Sequence, residues 1–118
     1  MTGMNEKLGL PFGRMRRYII AVDVDGTLIK DGGVRGDISN ERIVELVKTL
    51  SSFKNVRIVV WSGGGKDYAQ RWVTLLGLEK HVWRVASKME HEEIQADIAI
   101  DDIQDTAIGK MNLIVREK

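Results

Sequence analysis

The sequence contains no cysteine and a single proline. Without cysteine the chain cannot form a disulfide, a thiolate zinc site or a thiol nucleophile, so any metal must be held by oxygen or nitrogen atoms. Long apolar runs are also missing, because none approaches the ~20 residues that span a membrane. The run at residues 18–22 is likewise too short for the roughly 7–15 apolar residues of a signal peptide. We therefore expect a cytoplasmic protein with no membrane partner.

Neither sign of charge is in excess. Lys and Arg number 18 against 17 Asp and Glu, which gives a net charge of +1. This balance provides no bulk field for recruiting nucleic acid, so the composition gives no support for such a partner and does not exclude one. A chain of 118 residues suits one domain. We expect residues 1–16 to form an N-terminal arm that is flexible, and residues 17–118 to form a single domain.

Short continuous apolar runs alternate with stretches at helical spacing. The runs predict strands buried on both faces of a sheet, at residues 18–22, 56–61, 82–86, 98–100 and 113–115. Helices are predicted from an N-cap at Ser39 to about residue 50, at 66–76 and at 104–111, with a shorter one at 89–95. This alternation predicts an α/β fold, a three-layer sandwich around a mainly parallel, doubly wound, Rossmann-like sheet.

The residues that follow the runs are candidates for function, because ligands bind beyond the carboxyl ends of parallel strands. They are Asp23, Asp25 and Thr27 after the first run, Ser62 and Gly63 after the second, Lys88 after the third, and Asp101 and Asp102 after the fourth. Carboxylates held close together repel, and a hard divalent cation such as Mg²⁺ removes that cost. For any one of these acids a helix cap or a solvated loop is the more common role, but the whole set favours a metal site.

Four segments resemble the sequence motifs of the haloacid dehalogenase (HAD) superfamily. The sequence DVDGTL at residues 23–28, after an apolar strand, resembles the first motif. Ser62 resembles the second motif, Lys88 the third, and IAIDD at residues 98–102 the acidic fourth, in the family's order. The resemblance covers most of the chain and implies the HAD-type sandwich without a cap domain.

The resemblance implies a hydrolase, a Mg²⁺-dependent phosphatase that cleaves phosphomonoesters through an aspartyl-phosphate. Asp23 would be the nucleophile, and Asp25 the general acid and then the general base. Lys88 would neutralise charge on the nucleophile and on the transferring group. Dehalogenases of the family lack an acid at the position of Asp25, so its presence favours phosphoryl transfer.

The same resemblance implies the groups that bind phosphate and metal. Phosphate would be bound by Ser62, Gly63 and Thr27, with the Thr27 hydroxyl also orienting Asp25. The implied Mg²⁺ ligands are Asp23, the backbone carbonyl of Asp25, and an acid of the fourth motif. Asp102 is preferred as that direct ligand and Asp101 as an auxiliary one, although the order of the two remains open. Asp105 would orient a metal-bound water.

A cap domain is absent from both intervals where relatives carry one. An open site suits a large or exposed phosphorylated substrate, or a homo-oligomer in which a neighbouring subunit covers the site. The glycine-rich residues 30–37 form either a mobile flap or a flexible turn.

Other readings stay open. A polynucleotide-end phosphatase is a narrower version of the same enzyme, whereas a receiver-like phosphoacceptor domain and a non-catalytic binding module are different classes.

The aromatic side chains of Trp61, Trp72 and Trp83 are predicted to be core, and Tyr68 lies on the apolar stripe of the second helix.

Overall fold

The computed structural model describes residues 16–30 and 38–116. The strands are β1 (Tyr18–Asp23), β2 (Val56–Ser62), β3 (Arg84–Ser87), β4 (Ile98–Asp101) and β5 (Met111–Ile114). The α-helices are α1 (Glu41–Ser51), α2 (Lys66–Leu75) and the single turn α3 (His91–Ile94), and 3₁₀ turns cover Glu79–His81, Lys88–Glu90 and Gln104–Thr106. Residues 1–15 of the predicted arm and residues 31–37 of the predicted flap lie outside the described residues.

The strands form one parallel sheet in the order β3-β2-β1-β4-β5. The central strand β1 pairs with β2 on one side and β4 on the other, so that Val22 lies between Val60 and Ile100. This confirms the predicted parallel α/β sheet and gives a Rossmann-like arrangement. Because neighbouring strands run in the same direction and in register, their carboxyl ends lie along one edge of the sheet.

Helices cover both faces of the sheet, but unequally. On one face α1 and α2 pack against the strands through buried residues such as Val47 and Val73. On the other face the short helix α3 contributes Ile94 to a cluster with Ala21 and Trp61. None of the helices in the described ranges is long and apolar enough to cross a membrane.

The helix predicted at residues 104–111 is wrong. Only Gln104–Thr106 forms a helical turn, and β5 starts at Met111, which pairs with Ile98. Gly109 lies so close to β4 that an added Cβ atom would overlap the backbone nitrogen of Ala99. Packing against β4 therefore overrides the local helical pattern.

Two further predictions are corrected. Helix α1 has Asn40 rather than Ser39 as its N-cap; Ser39 instead bridges to Ile29, and its hydroxyl donates to Glu41 at 2.8 Å. Trp83 is 47% exposed rather than core, because it precedes β3. Its ring lies beneath the guanidinium of Arg57, 4.9 Å from the centroid. Trp61, by contrast, is fully buried as predicted.

Candidate active site

A cavity of about 210 Å³ opens at the carboxyl edge of the sheet. Every site residue predicted from the sequence lines it except Thr27 and Asp105. Gly64, Ile103 and Thr106 complete the lining, and sequence reasoning did not single out the last two. Asp105, the predicted water-orienting residue, is exposed and is not part of the lining.

Asp23 lies at the end of β1, where the chain turns back on itself. Gly26 adopts a positive φ of 79°, which glycine tolerates best. The turn lets the Leu28 amide donate to the Asp23 carbonyl at 3.3 Å. The Asp23 side chain is 7% exposed, and the Lys88 ammonium is 2.9 Å from its Oδ1 atom. Burial raises the pKa of Asp23 from 3.8 to about 7, with smaller increases from Asp101 and Asp102, against the lowering effect of Lys88.

Lys88 bridges two of these carboxylates. Its Nζ atom lies 2.9 Å from Asp23 and 2.6 Å from Oδ2 of Asp101. Burial lowers the pKa of Lys88, but hydrogen bonds to Asp101 and Asp23 outweigh it, so the pKa is raised and the charge is retained. A capping box fixes the start of the 3₁₀ turn that carries Lys88: Ser87 Oγ accepts from the Met89 amide, and Glu90 accepts from the Ser87 amide.

The two acids after β4 have different surroundings. Asp101 is 1% exposed, and its Oδ1 atom accepts hydrogen bonds from the Ile103 amide at 3.1 Å and the Thr106 hydroxyl at 3.2 Å. Asp102 is partly buried against Gly26, where an added Cβ atom would overlap its carboxylate. Burial, followed by the hydrogen bond with Asp101, raises the pKa of Asp102. Asp102 thus lacks the set of partners that occupies Asp101.

Three carboxylates converge closely enough to share a cation. Asp23, Asp101 and Asp102 each offer an oxygen, and these oxygens lie within 4.8 Å of one another. Within residues 16–30 and 38–116, one ammonium, that of Lys88, offsets their charge through two ion pairs. Hard oxygen donors with an unbalanced negative charge fit Mg²⁺. Asp101 accepts from the Ile103 amide, the Thr106 hydroxyl and Lys88, whereas Asp23 accepts from Lys88 and Thr27 alone within the described residues, so Asp102 and Asp23 have more oxygen lone pairs left for a cation.

The loop after β2, the strand next to β1, forms another part of the cavity lining. Ser62 ends the strand and is 2% exposed, and its Oγ atom accepts a hydrogen bond from the Gly64 amide at 2.9 Å. Gly63 and Gly64 are exposed and have no side chains that could block an approaching oxyanion. The Ser62 hydroxyl and the Gly63 backbone border the cavity, and α2 begins two residues after Gly64.

Two side chains make contacts that the sequence did not predict. The sequence predicts that Thr27 orients Asp25, whereas its buried hydroxyl donates to Oδ2 of Asp23 at 3.3 Å. The exposed Asp25 instead accepts a hydrogen bond of 2.7 Å from the hydroxyl of Tyr68 on α2. Burial and then Asp25 raise the pKa of Tyr68, which keeps that hydroxyl protonated. Helical periodicity places the Tyr68 ring correctly but carries no signal for the partner of its hydroxyl.

Comparison of the chain with models of known protein families and with curated protein sequences gives no match.

Proposed function

We propose that this protein is a Mg²⁺-dependent phosphatase that hydrolyses phosphomonoesters through an aspartyl-phosphate on Asp23, as the HAD resemblance implies. The observation that carries the proposal is one cavity in which Lys88 contacts both Asp23 and Asp101 while Asp25 and Ser62 line the same space. A structural ion pair alone does not require an exposed acid and glycine amides around it. Transfer of a phosphoryl group requires a nucleophile, a proton donor and positive charge in the same place.

In the first half of the reaction, a carboxylate oxygen of Asp23 attacks phosphorus. The bond between phosphorus and the ester oxygen breaks, and protonated Asp25 gives its proton to that leaving oxygen, so an alcohol departs. Ser62 and the Gly63 amide bind the phosphoryl oxygens, and Lys88 offsets charge that develops on them. The hydrogen bond from the Thr27 hydroxyl holds the Asp23 carboxylate in the orientation that the attack needs.

In the second half, the Asp25 carboxylate takes a proton from a water molecule whose oxygen attacks phosphorus. The bond from phosphorus to the Asp23 oxygen breaks, inorganic phosphate is released, and both acids return to their starting forms. Asp25 is exposed, which gives water access to it.

Mg²⁺ would be held by Asp23 and Asp102, with Asp101 as an auxiliary ligand and the Asp25 backbone carbonyl as a further donor. When bound, it supplies positive charge that offsets the carboxylates and the phosphoryl oxygens. The protein itself supplies the nucleophile, the proton donor and the groups that bind phosphate. The open cavity admits large or exposed phosphorylated substrates.

The test is turnover of 4-nitrophenyl phosphate and a panel of phosphate monoesters, with Mg²⁺ and with a chelator. We expect many turnovers per chain with Mg²⁺, and loss of at least about 10³-fold in Asp23→Asn, because the covalent route is removed. Glu45→Gln, an exposed carboxylate on α1, is the matched control and should turn over like the wild type. Wild-type activity in Asp23→Asn would disprove the nucleophile.

The same assay separates the other readings. A receiver-like domain would take up one phosphoryl group per chain without continued turnover, and a binding module would do neither. Preference for 5′- or 3′-phosphorylated oligonucleotides over the small esters would favour the polynucleotide-end phosphatase.

A further inference from the structure

We infer that Tyr68 is a positioning residue that holds Asp25 in the orientation from which it protonates the leaving group. This inference rests on the proposed phosphatase function. It is drawn from a contact between two elements distant in sequence, the turn after β1 and the first turn of α2.

Asp25 has little else to fix its side chain. It is exposed, and within the part of the chain that the structure describes, the 2.7 Å bond from Tyr68 is the one hydrogen bond that its carboxyl group makes. Gly26, the next residue, has no side chain to restrain it. An exposed acid without a partner samples several rotamers, and a proton donor that is misplaced by 1 Å loses much of its effect.

Tyr68, by contrast, is well anchored. Its ring packs against the hydrophobic core beneath α2 and lies close to the glycine loop, where a Cβ atom added to Gly64 would be 3.3 Å from Cδ2 of the ring. A residue larger than glycine at position 64 would therefore press against the Tyr68 ring. A rigid ring on a helix places its hydroxyl at a fixed point of the cavity rim.

The bond also distinguishes the two oxygens of Asp25. Tyr68 donates to Oδ1, so Oδ2 is left to carry the proton that is delivered to the ester oxygen and later recovered from water. A carboxyl group held by one oxygen presents the other in a defined direction. Tyr68 contributes this orientation without touching the phosphoryl group.

The experiment compares Tyr68→Phe with wild type on 4-nitrophenyl phosphate, which has a good leaving group, and on glycerol 2-phosphate, which has a poor one. We expect kcat on the poor leaving group to fall about 10-fold and on the good one less than about 3-fold, because only the poor one needs a well-placed proton. KM for both esters and inhibition by inorganic phosphate should remain unchanged. Tyr18→Phe is the matched control, since Tyr18 begins β1 at the opposite end of the sheet.

An equal loss on both substrates would mean a structural role and overturn the inference, as would no loss on either. In the Asp25→Asn background, Tyr68→Phe should add nothing, because it acts through Asp25; additive losses would also overturn it. Retained hydrolysis of 4-nitrophenyl phosphate by Tyr68→Phe shows that the variant folds. Failure of the proposed function is recognised separately, by absence of turnover in the wild type itself.

Discussion

Lys88 makes two ion pairs, and one of its partners, Asp101, is almost wholly removed from water. A buried charge pair adds little to stability by itself, but removal of one member leaves the other charge without compensation. Lys88 also separates Asp23 from Asp101, which would otherwise face each other as like charges. The ammonium to which we assign a role in phosphoryl transfer therefore also has a structural role.

We expect Lys88→Met to lower the free energy of unfolding by about 3 kcal/mol in the absence of Mg²⁺, measured by urea denaturation at pH 7.5. Lys110→Met is the control, because Lys110 is exposed and its ammonium lies 3.7 Å from Asp97. That exposed pair should be worth less than about 0.5 kcal/mol. Equal losses in the two variants would contradict the bridging role of Lys88.

Gly26 and Gly77 provide a second matched pair. Both have positive φ angles, 79° and 69°, but a Cβ atom would overlap Asp102 only at Gly26 and would meet nothing within 4 Å at Gly77. We expect Gly77→Ala to cost about 1 kcal/mol of backbone strain. Gly26→Ala should cost more and should weaken Mg²⁺ binding, measured by isothermal titration calorimetry. Wild-type Mg²⁺ affinity in Gly26→Ala would show that the Asp102 carboxylate is not confined by this glycine.

The positions of the acids, the serine and the lysine could be predicted because the ends of continuous apolar runs are local features of the sequence. The contacts of Thr27 and Tyr68 could not, because they depend on how a turn and a helix meet in space. Trp83 shows the same limit, since exposure depends on where β3 begins and not on the residue type.

The turn Lys88–Glu90 is an element of only three residues, and it carries the site residue Lys88. Glu90 accepts from the Ser87 amide and pairs with Arg84 at 2.8 Å. The backbone hydrogen bond from Ser87, followed by that from Arg84, lowers the pKa of Glu90 below its ordinary value of 4.5. The ionised form is therefore the one that stabilises the turn.

A carboxyl group with a lowered pKa contributes stability above its ordinary pKa, and that contribution is lost as pH falls through the lowered value. We expect Glu90→Gln to be less stable than wild type at pH 7, with the difference shrinking below about pH 4.5. Thermal unfolding of both proteins, followed by circular dichroism across pH 3–7, measures this difference in stability. A difference that grows on acidification would contradict the assignment.

The bounds of a strand or helix are hardest to predict from sequence where long-range packing decides them. Strands β1, β2 and β4 follow their apolar runs closely, whereas the last strand begins two residues before its predicted start and replaces part of a predicted helix. The approach of Gly109 to Ala99 decides this, and no local pattern reports it.

For the chain as a whole, the near-zero net charge conceals a local excess of negative charge. In the part of the chain that the structure describes, three carboxylates that can share an ion lie at one edge of the sheet, and the ammonium of Lys88 pairs with two of them. A cation that binds only the folded state stabilises it by RT ln(1 + [Mg²⁺]/Kd). The acidic edge should therefore make stability depend on divalent cations.

We expect Mg²⁺ at about 100 times its Kd to add about 2.7 kcal/mol and raise Tm measurably. Asp102→Asn should lose most of the shift, because a neutral amide is a weaker ligand. Asp97→Asn, at the residue just before β4 and thus at the far edge of the sheet, should keep it, whatever its own effect on baseline stability. An undiminished Mg²⁺ shift in Asp102→Asn would remove this residue from the ligand set.

An aspartyl-phosphate on Asp23 is detected most directly by quenching the protein with acid during hydrolysis of a phosphomonoester and mapping the modified peptide by mass spectrometry. We expect one added phosphoryl group, located on Asp23 and absent from Asp23→Asn. A phosphoryl group on any other residue, or steady turnover with an unmodified chain at every quench time, would contradict it.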